Sequence, residues 1–277
     1  MIKKIFSRPT GVFSLLVLAT IFFIAVFGQL ITPQGPNEIN VANMLQPPSP
    51  EHFFGTDELG RDVLSRTILS AQVSMQVSLI SVSFALFFGT AAGVMAGYFG
   101  GWLDNLLMRI VDVLFAFPVL LLALAIVAIL GPGIGTATFA IGVVYVPIFA
   151  RVARSSAVSV VQEPYVKAAK TVGASPLRTI TTHLLPNIAA PLIVQTSISL
   201  AFAILNEAAL SFLGLGAQPP TPTWGRMLFD AKGFLDQAWW MAVFPGATVF
   251  LTVLAFNLLG DNLRDALDVT VDRKESK

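Results

Sequence analysis

Apolar residues in this chain come in long runs, not at helical or strand spacing. Six runs are long enough to cross a hydrocarbon layer of about 30 Å: residues 11–31, 73–98, 106–130, 134–153, 188–212 and 239–260. The pattern predicts an all-α integral membrane protein with six transmembrane helices, the fourth being the shortest. The first and second runs are separated by a polar segment of about forty residues that opens with the Pro/Gly/Asn-rich stretch 32–50, irregular linker by composition. From Thr56 the pattern changes. Thr56 or Asp57 is suited to cap a helix carrying Asp57 and Glu58 in its first turn, where the macrodipole favours acids, and running on towards the second span.

One polar island interrupts the second half, residues 163–187, EPYVKAAKTVGASPLRTITTHLLPN. Residues 163–172 are mostly helix formers, and Gly173 supplies the permissive backbone that ends a helix. Ser175 as N-cap, with Pro176 at the first helical position, restarts one. The island therefore predicts two short helices meeting at an elbow, with Lys167, Lys170, Arg178 and His183 on a water-facing knob.

Composition agrees with a membrane protein: 277 residues are 55% hydrophobic and 12% charged, with a mean hydropathy of +0.76. A net charge of +1 gives no overall field that would draw nucleic acid, and the absence of cysteine removes disulfides, thiolate metal sites and cysteine nucleophiles. Lys3, Lys4 and Arg8 precede about twenty apolar residues with no convincing small-x-small cleavage site, so the first run reads as a retained span. Orientation follows from the cations. With the N-terminus inside, the inner segments hold thirteen (Lys3, Lys4, Arg8, Arg109, Arg151, Arg154, Lys167, Lys170, Arg178, Arg264, Arg273, Lys274 and Lys277), and the outer ones hold four (Arg61, Arg66, Arg226 and Lys232). Both termini and the knob are thus expected in the cytoplasm.

Within the spans, Gly89, Gly93, Gly97 and Gly101 recur every four residues, a side-chain-free face for close helix packing. Asn206 and Glu207 fall in the fifth span, followed by the turn Ser211-Phe212-Leu213-Gly214-Leu215-Gly216. A carboxylate there needs a wet cavity, the interface or a donor, so Asn206, Glu207 and Ser211 are candidate pathway residues, with an interfacial structural role for Glu207 as the alternative. Asp112, three residues after Arg109, is expected to pair with it across one turn.

Catalytic patterns are missing. There is no G-x-x-x-x-G-K-[ST] phosphate loop, no H-E-x-x-H and no G-x-S-x-G, and the histidines are His52 and His183 alone. Gly131-Pro132-Gly133 has no following Lys and reads as a tight turn. No catalytic or metal-binding residue is assigned.

The run Ala168-Ala169, then Gly173, then Leu185-Pro186 resembles the cytoplasmic EAA loop of ABC-importer permeases. Together with Gly55-Thr56-Asp57-Glu58-Leu59-Gly60-Arg61-Asp62, Leu210-Ser211-Phe212-Leu213-Gly214-Leu215-Gly216 and His183-Leu184-Leu185-Pro186-Asn187, it is similar to the C-type subunit of the dipeptide/oligopeptide/nickel class. Lys167 occupies the position where the general motif has Glu, and His183 that of an Ile; Glu163, one turn earlier, is the alternative source of charge.

The resemblance implies a type I permease fold and a half-pore in the bacterial inner membrane. Its partners would be a related permease in a heterodimer, two ATP-binding subunits that hold ATP and Mg, and an extracytoplasmic substrate-binding protein. It implies an ATPase-coupling surface on Glu163, Tyr165, Lys167, Ala168, Ala169, Gly173, Ala174, Ser175, Pro176, Arg178, Leu185 and Pro186, and no cofactor on this chain. Di- or oligopeptides are the expected cargo, with nickel, glutathione or another small solute as alternatives. A self-contained channel or secondary transporter, and a structural scaffold, are the rival classes; the first lacks a convincing internal repeat here. The whole chain, 1–277, is expected to be one permease domain. Its parts are a tail and first span (1–31), an outer loop (32–72), a five-helix core (73–260) with the coupling loop 154–187, and a cytoplasmic tail (261–277).

Overall fold

The computed structural model describes residues 8–267, so the expectations resting on Lys3, Lys4, Arg273, Lys274 and Lys277 lie outside the described residues. The helices are α1 (Pro9–Ile31), α2 (Val63–Phe99), α3 (Gly101–Phe115), α4 (Val119–Leu130), α5 (Ile134–Val161), α6 (Pro164–Thr171), α7 (Pro176–Thr179), α8 (Leu185–Phe212), α9 (Trp224–Ala231) and α10 (Trp240–Leu267). A single 3-10 turn at Val41–Asn43 lies in the first loop, and a π-helical turn, Ile180–Leu184, makes α7 continuous with α8. Among the described residues five helical stretches are long and apolar enough to cross a membrane, α1, α2, α5, Pro176–Phe212 and α10, and the bent pair of α3 and α4 makes six if it counts as one span.

The third run, 106–130, is not one straight span. It divides into α3 and α4, bent by 88°. Pro118 cannot donate to the helical ladder and disfavours helical backbone at the residue before it, so the break falls at 116–118 although the sequence stays apolar throughout. The 12 residues of α4 rise only about 18 Å, short of a full bilayer crossing, and α3 runs across the end of the bundle.

The second helix starts ten residues before its apolar run, at Val63, and its cap is Asp62, whose carboxylate accepts from the Ser65 N–H at 2.8 Å. Thr56 and Asp57, the expected caps, instead lie in a tight loop closed by an antiparallel bridge between Thr56 and Asp62. Hydropathy misses the first turns of α2 because Arg66, Thr67 and Ser70 are buried against protein, not lipid.

The centre of the molecule is the packing of α2 along α5. A Cβ added to Gly89 would come within 2.5 Å of the Val146 carbonyl oxygen, and one added to Gly97 within 2.7 Å of Ala157 Cβ. Backbones this close are the expected use of a small-residue face. Gly101 does not share it: it opens α3 with a φ of +58° and has open space around it. Around this seam Ile141, Phe149, Leu184, Ile188 and Leu210 form the main core, and α1, α2, α8 and α10 enclose a second one around Ile21, Ile204, Trp224 and Phe256.

Candidate functional site

The knob is built as its residue types dictate. Gly173 takes φ +83°, its N–H donates to the Lys170 carbonyl at 3.1 Å, and the Ala174 N–H reaches the Ala169 carbonyl at 3.0 Å. These are the two bonds of a Schellman cap, and the left-handed residue between them is one that only glycine adopts without strain. Ser175 Oγ then accepts from the Arg178 N–H at 3.3 Å and Pro176 opens α7. One face of α6 is anchored: Val166 is fully buried and Ala169 half-buried. The other carries Glu163, Tyr165, Lys167 and Ala168, all exposed, and the tip presents Val172 (84% exposed) and Leu177 (73%). The Tyr165 and His183 rings, 6.0 Å apart, brace the two arms, so His183 is half-buried and not fully water-facing.

Pro186 shapes the way back into the bundle. Without an N–H, and with a ring that crowds the carbonyl four residues earlier, it widens the preceding turn. The Leu185 N–H accordingly donates to Ile180 O, five residues back, and the Asn187 side-chain amide donates to His183 O at 2.6 Å. Leu185 and Pro186 are exposed beside this turn, and Ile188 seals the core beneath.

Charges at the knob end tie α3 to α5. Arg154 forms a fork with Asp104 (2.5 and 2.6 Å), and Arg151 donates to Asp112 at 2.8 Å. The expected partner of Asp112 was Arg109; the 88° bend that lays α3 across the end of α5 gives it Arg151 instead.

At the opposite end the loop 32–62 is stitched down by the Gly55–Asp62 motif. Asp57 accepts from the N–H groups of Leu59 and Arg61, both at 2.9 Å, and from Arg61 Nε at 2.6 Å; Arg61 also donates to Glu58 at 2.8 Å. Trp240 Nε1 donates to Thr56 O at 3.0 Å, which fastens this loop to the head of α10. Burial pushes the Glu58 carboxyl up, with Asp57 adding to the effect, and burial likewise raises Asp230 on α9. The motif is a structural latch.

Glu207 is 2% exposed. Ser74 Oγ donates to one of its oxygens at 2.9 Å and Ser211 Oγ to the other at 2.8 Å, while Ser211 accepts from the Ala217 N–H at 3.3 Å. Glu207 and Ser211 therefore hold α2, α8 and the following turn together, with their side chains turned away from any surface of this chain. Asn206 is half-buried and donates to the Tyr145 hydroxyl at 2.8 Å. No sequence signal pointed to Ser74 or Tyr145, because both partners lie on other helices.

Apolar helices running between a latched loop at one end and an exposed two-helix knob at the other define a multi-pass membrane protein. A family model described as binding-protein-dependent transport system inner membrane component matches residues 89–273, and one described as the N-terminal TM domain of oligopeptide transport permease C matches residues 1–48. The chain belongs to this family of ABC-importer permease components. It is 47% identical to the dipeptide transport system permease protein DppC of Alkalihalophilus pseudofirmus, over 96% of this chain and 88% of that one. It is 45% identical to the di/tripeptide transport system permease protein DppC of Pseudomonas aeruginosa (92% and 86%), and 44% identical to the glutathione transport system permease protein GsiD of Escherichia coli (91% and 84%). Among solved structures, the inward-facing MetNI methionine ABC transporter matches with a TM-score of 0.60 at 18% identity, over 73% of this chain and 96% of that one, a likeness of fold.

Proposed function

We propose that this chain forms half of the membrane pore of an ATP-driven importer of di- or oligopeptides. It would pair with a related permease, receive cargo from an extracytoplasmic binding protein, and seat two ATPases on the knob. ATP and Mg are held by those ATPases and this chain hydrolyses nothing. The excess of Lys and Arg at the knob end supports a cytoplasmic position for the knob and both termini in a bacterial inner membrane.

The observation that carries the reading is the elbow. Two helices locked at a fixed angle by a Schellman cap at Gly173 make a rigid body, fixed to the bundle through Val166 and presenting Ala168, Val172 and Leu177 outward. When ATP draws the two ATPases together, such a body transmits their displacement to α5 and α8. The relatives named for dipeptides and di/tripeptides support peptide cargo; glutathione, itself a tripeptide, is the second reading, favoured by the 44% identity to GsiD. Asn206 is the member of the candidate trio with exposed surface for the pathway.

The test is Gly173→Val in the assembled complex. A β-branched residue is strained at φ +83°, yet the site has open space around it, so the bundle should insert normally. Peptide uptake and cargo-stimulated ATP hydrolysis should both be lost. Uptake at the parental rate would remove the knob from the mechanism.

A further inference from the structure

The knob has two covalent attachments, to α5 before it and to α8 after it. Buried Val166 seats one face of α6 on the bundle as well. The structure supplies a further contact from that same face. Lys170 lies one helical turn after buried Val166, on the same face of α6, and its ammonium sits 4.3 Å from the centroid of the Tyr98 ring. Lys170 is exposed, as expected of a knob charge, and its head also lies over the Tyr98 ring.

The position of Tyr98 gives this contact its consequence. It is the penultimate residue of α2, the helix that packs along α5 through Gly89 and Gly97. After Phe99, Gly100 and Gly101, with φ of +63° and +58° and open space around both, join α2 to α3. The Asp104–Arg154 and Asp112–Arg151 pairs then bind α3 back to α5. A push on the knob thus has a route into α2, with the glycine pair as the joint that lets α3 stay with α5.

We infer that Lys170 and Tyr98 form a positioning strut, a support beyond Val166 that sets the orientation of the knob and carries its displacement into α2. The inference rests on the coupling role proposed above.

The test uses the full importer reconstituted in proteoliposomes with its ATPases and binding protein, and the readout is peptide imported per ATP hydrolysed. Tyr98→Leu and Lys170→Met should each lower that ratio about five-fold, and the double variant should fall no further than either one. Tyr98→Phe, which keeps the ring face, and Lys170→Arg, which keeps the cation, should retain it; loss of complex yield would track neither pattern. An unchanged ratio in Tyr98→Leu overturns the strut, and so does a fall confined to Lys170→Met, which would make Lys170 a direct ATPase contact. Gly173→Val is run alongside. If it too leaves the ratio intact, the coupling reading fails; if it alone abolishes import, the strut fails and that reading stands. Should the Leu or Met variants not assemble, the cysteine-free chain allows a clean Tyr98→Cys/Lys170→Cys pair bridged by a bis-maleimide. A strut that stays closed predicts continued import after bridging, and arrest overturns it.

Discussion

Ser74 on α2 donates a 2.9 Å hydrogen bond to Glu207 on α8, and both side chains are shut off from solvent. Removing the carboxylate strands two buried hydroxyls, Ser74 and Ser211, so Glu207→Ala should cost about 1–3 kcal/mol and lower the thermal unfolding temperature of the detergent-solubilised protein. Glu207→Gln keeps an acceptor for one of them and should cost less, with peptide uptake retained. Loss of uptake in a stably folded Glu207→Gln variant would support a pathway role for this residue.

The glycine face of α2 separates into members that pack and one that does not. Gly97→Leu drives a side chain into Ala157 and should prevent a stable α2–α5 seam, visible as proteolysis or poor membrane accumulation. Gly101→Ala meets no neighbour and carries only the backbone strain of φ +58°, about 1 kcal/mol, so accumulation should be near normal.

Arg154 and Asp104 form a forked pair whose arginine is 38% exposed, so the pair should be worth less than its short distances suggest, about 0.5–1 kcal/mol. Exchanging the charges, Asp104→Arg with Arg154→Asp, should recover most of the stability lost by either single change. Recovery should be weaker at high salt, as a double-mutant cycle at two ionic strengths will read. A cycle with no coupling at either strength would leave α3 held by packing alone.

The latch of the 32–62 loop should respond to pH in the sense opposite to an ordinary surface carboxylate. Glu58 and Asp230 are both raised by burial, so the folded state holds their protons more tightly than the unfolded chain. Their contribution to stability is full below the ordinary carboxylate range and is lost as pH rises through their elevated values. The double variant Glu58→Gln/Asp230→Asn should therefore flatten the fall in melting temperature between mildly acidic and neutral pH, and an unchanged slope would exclude these two acids as its source.

Much of this was legible from residue order. Gly173, Ser175 and Pro176 act locally, so their turn chemistry could be read without any knowledge of the fold, and the elbow has the cap that the sequence predicts. The long apolar runs announce the helices for the same reason. What was hidden is what depends on a distant partner. Asp112 looked satisfied by Arg109 three residues before it, but Arg151, 39 residues on, takes it because α3 turns across the end of α5. Thr56, Asp57 and Asp62 are all plausible caps by type. Contacts of Thr56 with Gln46 and Asn43, and of Asp57 with Arg61, engage two of them, while Asp62 pairs with His52 through one oxygen and caps the helix with the other. The break before Pro118 is masked by uninterrupted hydrophobicity on both sides.

The π turn at Ile180–Leu184 inserts one residue into what is otherwise a single helical rod from α7 to α8. One residue is about 100° of azimuth, so the side chains before and after the turn are out of phase by that angle relative to an unbroken helix. The exposed knob side of the rod and the side that packs into the bundle are therefore set independently. Under the coupling role proposed above, substitutions that retune exposed Leu177 or Arg178 towards an ATPase need not disturb the face that Ile188 and Leu192 bury, so a lineage could change the docking side without repacking the bundle.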